Sequence, residues 1–237
     1  MKRILLMVIK NIVLVPWMWI KLCYHAKHTE KYTEEEQYKM LRFITLHANK
    51  GGNVKIDVHG AENLPKDNGF MFFPNHQGLY DVLAIIEACP RPFSVVAKKE
   101  IANIQFLKQV FACMKAYMLD REDVRQAMQV IEHVTEEVKR GRNYLIFAEG
   151  TRSKNGNKVG EFKGGSFKSA TKAKCPIVPV ALIDSFKPFD TNTINPVTVQ
   201  VHFLEPIYYE EYQTMKTTEI AAEVKCRIQK VINENIK

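Results

Sequence analysis

The sequence lacks most of the features that would place it at a glance. Its five cysteines (Cys23, Cys89, Cys113, Cys175, Cys226) form no C-x-x-C pair and are odd in number, so neither a zinc site nor a disulfide framework is signalled. Such a scatter implies buried free thiols in a reducing compartment. No G-x-S-x-G elbow occurs, which removes the usual serine-hydrolase nucleophile. No zinc-finger, helix-turn-helix or RNP-like pattern accompanies the basic residues, so nucleic acid is not an expected partner. No metal cluster and no cofactor motif is visible. The one long apolar stretch, Ile4 to Leu22, is interrupted by Lys10, Asn11 and Pro16 and is poor material for a simple membrane span.

What is present suffices for a sizeable core. The 237 residues are 46% hydrophobic, enough for one large domain or a domain with a small appendage. A formal net charge of +8 points to anionic partners such as phosphate-bearing metabolites or an acidic membrane surface. On a straight helical wheel Arg3, Lys10 and Lys21 fall within about 20° of one another, against Ile, Leu, Val, Met and Trp elsewhere. A basic stripe with Trp17 and Trp19 near one end is how an interfacial helix is built. A tilted single span that tolerates Lys10 remains a competing reading. A secretory signal is a weaker one, because no A-x-A site precedes Ala26. Thr33 and Glu36 then form a capping box, and Tyr38, Leu41, Ile44 or Thr45, and Ala48 recur at helical spacing until Gly51-Gly52. Residues 1–50 are therefore expected to be a membrane-associating amphipathic two-helix hairpin, and residues 51–237 a second, α/β domain.

From Val54 onward strands alternate with helices. VKIDVH, FMFF, FSVVA, AYML, YLIFA, IVPVALI and VTVQVHF read as strands, with helical patterns between most of them and a closing helix over TTEIAAEVKCRIQKVINENI. That alternation indicates an α/β fold with a mixed central sheet flanked by helices. In such sheets ligand groups collect in the loops beyond strand ends.

Several polar groups lie at those ends. In FPNHQGLYD, Pro74 stops a strand, Gln77-Gly78 permits a tight turn and Asp81 falls in the first turn of the next helix. Across that turn Asp81 can fold back on His76, fix its tautomer and leave Nε2 free to take a proton. The same residues also suit a helix-capping aspartate beside a loop histidine. In FAEGTRS, Glu149 precedes Gly150, which lets backbone amides approach a ligand, Thr151, which offers a hydroxyl, and Arg152, whose planar fork suits a phosphate. A local ion pair would account for Glu149 and Arg152 equally well. FKGGSF adds an anion-friendly turn. Lys98, in AKKE, and Arg121, in DR, each follow a strand, where solvated surface charge is commonplace.

Taken in order, NHQGLYD, AKKE with DR, FAEGTRS and VPVAL resemble the four sequence blocks of the glycerolipid acyltransferase family, typified by the 1-acyl-sn-glycerol-3-phosphate acyltransferases. The resemblance runs from about Val54 to Glu205 and includes FKGGSF and LEPI. It implies that His76 is the catalytic base and Asp81 its partner. Lys98, Arg121, Gly150, Thr151 and Arg152 would bind the acceptor's phosphate, and Glu149 would organise that site. The implied reaction moves a fatty acyl group from acyl-CoA or acyl-ACP, a co-substrate rather than a cofactor, to the sn-2 hydroxyl of lysophosphatidate. The implied partners are a membrane lysolipid and the thioester donor, carried either on CoA or on acyl carrier protein. The implied location is peripheral, on the cytoplasmic face of the cell membrane. The blocks usually carry Ser at Gly78, Pro at Ala148, and Pro and Gly at Gln105 and Lys108. Two rival readings stand beside this one: a different phosphate-bearing acceptor, or a non-catalytic module that binds anionic lipid.

Overall fold

The computed structural model describes residues 2–120 and 123–236. Three helices open the chain: α1 (Lys2–Lys10), α2 (Val15–Lys27) and α3 (Glu34–Gly51). Then come β1 (Val54–His59), β2 (Met71–Pro74), α4 (Asp81–Ala88), β3 (Ser94–Lys98), α5 (Gln105–Cys113), β4 (Tyr117–Leu119), α6 (Val124–Lys139) and β5 (Tyr144–Leu145). The remainder is α7 (Lys168–Ala173), β6 (Ile177–Ile183), α8 (Lys187–Asp190), β7 (Val197–Phe203), α9 (Tyr209–Tyr212) and α10 (Thr217–Asn235).

The strands form one mixed sheet in the order β1-β7-β6-β2-β5-β3-β4. From β6 to β4 all neighbours are parallel; β7 runs antiparallel to β6 and parallel to β1. The apolar run at β2 is explained by its central place. Alternate side chains enter opposite layers: Phe70 and Phe72 pack with Tyr80, Ile85 and the helical residues Met7, Leu22 and Leu41. Met71 and Phe73 face Val134, Phe167, Ile220, Val224 and Ile228. With both faces covered, period-2 alternation between apolar and polar residues is lost. Pro74, lacking an N–H, closes the strand, and the chain turns away at the carboxyl edge of the parallel set.

The helical hairpin is present, and the Thr33–Glu36 capping box closes as its spacing predicts, with Glu36 N donating to Thr33 Oγ1 at 3.2 Å and Thr33 N to Glu36 Oε2 at 2.9 Å. Its first arm differs from a straight helix. α1 and α2 meet at a bend of 100°, so positions on the two halves do not share one wheel. Arg3 is the consequence: it is 1% exposed and points inward, whereas Ile4, Leu5, Val8 and Ile9 are exposed beside it. Among the described residues no single helix is long and apolar enough to cross a membrane.

Candidate active site

The chain leaving β2 turns away after Pro74, and its polar groups find partners chiefly in the end of β6 and the loop that follows it. Asn75 is buried and pairs reciprocally with Leu182, accepting from its N–H at 2.7 Å and donating to its carbonyl at 3.0 Å. Gln77 donates to the Leu182 carbonyl and to Asn157 Oδ1, and accepts from Ser185 N at 2.7 Å. The turn is thereby fastened to β6 before any catalytic group is considered.

Asp81 closes it. This carboxylate is fully buried at the first turn of α4, a favourable end of the helix for negative charge. Its Oδ2 accepts from Gln77 N at 2.7 Å, Gly78 N at 3.0 Å and His76 Nδ1 at 2.7 Å, and its Oδ1 accepts from the Ser185 hydroxyl at 2.6 Å. An oxygen already receiving two backbone N–H groups can only accept, so the proton of the His76 contact sits on Nδ1. Nε2 is then the basic nitrogen, and it has no hydrogen-bond partner among the described residues. The ring stacks on Phe147, centroids 4.0 Å apart at 22°, and its side chain keeps 19% of its surface exposed. The imidazole is thus oriented from one edge, wedged on one face and open at the other nitrogen.

Glu149 holds the backbone of the same loop. Its Oε1 accepts from His76 N at 2.7 Å and its Oε2 from Gly160 N at 3.0 Å; no Arg152 contact is involved. A Cβ at Gly160 would lie 2.4 Å from that Oε2, so a larger residue here would displace the carboxylate. Burial raises the Glu149 carboxyl above its ordinary value of 4.5, opposed in part by the two N–H bonds and by His76. Between that value and the raised one the folded chain binds more protons than the unfolded chain, so this group's contribution to stability falls as pH rises through the window. Glu149→Gln should remove that slope: chemical denaturation at several pH values above 4.5 is expected to show the wild type losing stability relative to the variant as pH rises.

Of the remaining predicted residues, Lys98, Gly150, Thr151 and Arg152 follow or end β3 and β5, which are neighbours in the sheet. Gly150 (φ +74°) follows β5, and a Cβ there would meet Lys163 Nζ at 3.2 Å. Thr151 and Arg152 are exposed, and Arg152 has no ion pair among the described residues. Lys98 ends β3 and pairs with Glu100 at 2.8 Å, both groups half in solvent; a pair so exposed is worth at most about 1 kcal/mol and opens readily. Arg121 lies outside the described residues. Ser185, Asn75 and Gly160 carry no sequence signal strong enough to single them out, and Gln77 reads only as part of a tight turn. A small polar residue just past the apolar strand IVPVALI was the signal available for Ser185. The cysteines offer no thiolate in the core: burial pushes Cys89 up to about 11 and Cys113 and Cys175 to about 12.

Fold and site together define an α/β-sheet protein whose carboxyl edge presents an oriented, solvent-reachable histidine–carboxylate couple, an arrangement suited to moving protons. The sequence model of the acyltransferase family matches residues 55–183, more than half of the chain, and the chain belongs to that family. A 1-acyl-sn-glycerol-3-phosphate acyltransferase of Borreliella burgdorferi is 31% identical over 70% of this chain and 68% of its own length. One of Salmonella typhimurium is 30% identical over 76% of this chain and 74% of its own. The chloroplastic BAT2 acyltransferase of Brassica napus is 32% identical over 65% of this chain, which spans only 45% of the plant protein. The crystal structure of the 1-acyl-sn-glycerophosphate acyltransferase of Thermotoga maritima matches with a TM-score of 0.78 over 98% of this chain and 95% of that one, at 22% identity, a likeness of fold.

Proposed function

We propose that the protein transfers a fatty acyl group from an acyl thioester to the sn-2 hydroxyl of 1-acyl-sn-glycerol 3-phosphate, giving phosphatidate. The observation that carries the reading is the Asp81-held His76, whose Nε2 has no hydrogen-bond partner among the described residues and whose side chain stays 19% exposed. Nε2 takes the hydroxyl proton as the acceptor oxygen attacks the thioester carbonyl. The carbon–sulfur bond then breaks, and the imidazolium returns its proton to the departing thiolate. Asp81 stabilises the imidazolium between these steps. No acyl-enzyme intermediate is involved, so a ternary complex of donor and acceptor is required.

The phosphate of the acceptor meets Arg152, with the amides around Gly150 and Thr151, and Lys98 once Glu100 is displaced. Arg121, outside the described residues, is assigned to the same phosphate by the family resemblance alone. Residues 1–50 hold the protein at the membrane surface through the exposed apolar side chains of α1 and α2, on the cytoplasmic face, and residues 51–237 carry the transfer. The donor arrives as acyl-CoA or on acyl carrier protein.

The direct test is release of free thiol from acyl-CoA in the presence of lysophosphatidate, with product mass read in parallel. Thiol release without an acceptor would indicate a hydrolase, and no release with any acceptor of a lysolipid panel would leave the lipid-binding module. Arg152→Ala should raise the acceptor KM by roughly 10- to 100-fold, the worth of a charged hydrogen bond, with the thioester KM little changed. A change confined to the thioester KM would instead assign Arg152 to the donor's phosphates.

A further inference from the structure

The Arg3 side chain is placed at a cost. A fully buried guanidinium usually finds a carboxylate, yet Arg3 has none among the described residues. It donates only to carbonyls: Nε to Pro188 at 3.1 Å, one terminal nitrogen to Gly52 at 2.6 Å and the other to Asn195 at 2.9 Å. Pro188 and Asn195 both belong to the connection between β6 and β7, and the first part of that connection, Ser185 to Asp190, lies against the catalytic turn. At its start the Ser185 hydroxyl reaches Asp81 and the Ser185 amide reaches Gln77. One turn on, Phe189 packs edge-on against Tyr80, centroids 5.2 Å apart. The place a Cβ would take at Gly78 lies 3.5 Å from Phe186 Cα and 3.3 Å from Asp190 Oδ2. The segment that aims Asp81 is therefore bolted, three residues beyond Ser185, to the first turn of the N-terminal helix.

We infer that Ser185 and Arg3 are positioning residues for His76: Ser185 fixes the carboxylate of Asp81, and Arg3 holds the connection that delivers Ser185. The seating of α1 against the sheet then governs the aim of the base as well as attachment to a surface. This rests on the acyl-transfer reading of the site. A hydrogen bond to a charged group is worth about 1.5–3 kcal/mol, so removing the Ser185 hydroxyl should cost roughly 10- to 100-fold in kcat. The connection can relax in part without Arg3, so the effect there is of the same kind and smaller.

The experiment uses the full chain with a short-chain lysophosphatidate kept monomeric, so that membrane attachment is not what is read. Ser185→Ala and Arg3→Met should each lower kcat with both KM values within about 2-fold, and Ser185→Thr should recover most of the loss. The double variant should fall well short of the product of the single losses, since both changes act on one network. Thermal unfolding of each variant identifies any loss due to misfolding. Fully additive losses, or an Arg3→Met protein with wild-type kcat, would overturn the coupling. A second readout needs no turnover: nitrogen chemical shifts of the His76 imidazole, assigned against His76→Gln, should report a weakened Nδ1 hydrogen bond in both variants. Unchanged shifts sink the positioning role even where activity falls. A wild type with this hydrogen-bond signature but no thiol release would count against acyl transfer and leave the positioning network standing.

Discussion

Replacing His76 by alanine is expected to lower kcat by about 10²- to 10⁴-fold, the usual worth of a positioned general base, while the protein stays folded. The two halves of that expectation have separate physical grounds. The ring is half-buried, and its loss leaves Asp81 with the Gln77 and Gly78 amides and the Ser185 hydroxyl, so the carboxylate remains solvated by the protein. The backbone N–H of residue 76, which Glu149 accepts, is untouched by a side-chain change. What disappears is the imidazole proposed to take the proton of the acceptor's hydroxyl. Thiol release and product mass measure the first half, and a melting curve close to that of the wild type checks the second. Undiminished turnover would remove His76 from the mechanism, and the proposed reaction would need another base. His76→Gln should be equally inactive, since an amide can hydrogen-bond but cannot accept a proton.

The sequence makes legible those features that depend on neighbours along the chain. The Thr33–Glu36 box and the buried strand at Phe70–Phe73 each follow from spacing within one element or one turn. The fold-back of Asp81 on His76 is of the same kind: a glycine turn and a helix start separate them, with a proline two residues before His76, and the geometry is settled locally. Where the outcome depended on a distant partner, the pattern misled or was silent. A wheel drawn through residues 3–21 presumes a straight helix, and the 100° bend dissolves the stripe. Arg3 then turns toward carbonyls that lie as many as 192 positions away. The run YLIFA reads as a strand of five, but only Tyr144 and Leu145 pair as strand, since Phe147 leaves to lie against His76. Ser185 sits 104 residues from the carboxylate it serves. Glu149 shows both sides: its place in the third block was readable, but its partners are two amides rather than the neighbouring arginine.

The substitutions at Asp81 should separate two duties that one carboxylate performs. In Asp81→Ala the Gln77 and Gly78 amides, the Ser185 hydroxyl and His76 Nδ1–H all lose their acceptor at a fully buried position. Removing one partner of a buried charged network typically costs about 3–5 kcal/mol. For a chain of this size, at 2–4 °C per kcal/mol, that is a fall of roughly 6–20 °C in melting temperature. Asp81→Asn preserves the shape. Its amide oxygen, placed at the former Oδ2, can still receive the two backbone N–H groups and His76, while its NH₂ meets a serine hydroxyl that can rotate to accept. The asparagine protein should therefore melt near the wild type. It nonetheless lacks the negative charge that offsets the imidazolium formed during attack, and a charge-assisted hydrogen bond becomes a neutral one. A loss of about 10- to 100-fold in kcat follows from that difference, with the KM for lysophosphatidate nearly constant because the residues proposed to bind its phosphate are elsewhere. If Asn and Ala lowered stability alike, Asp81 would be a packing carboxylate; if Asn retained wild-type kcat, its charge would have no part in the transfer. The predicted outcome, a stable and slow Asn protein beside an unstable Ala protein, requires the same residue to close the turn and to stabilise the protonated base.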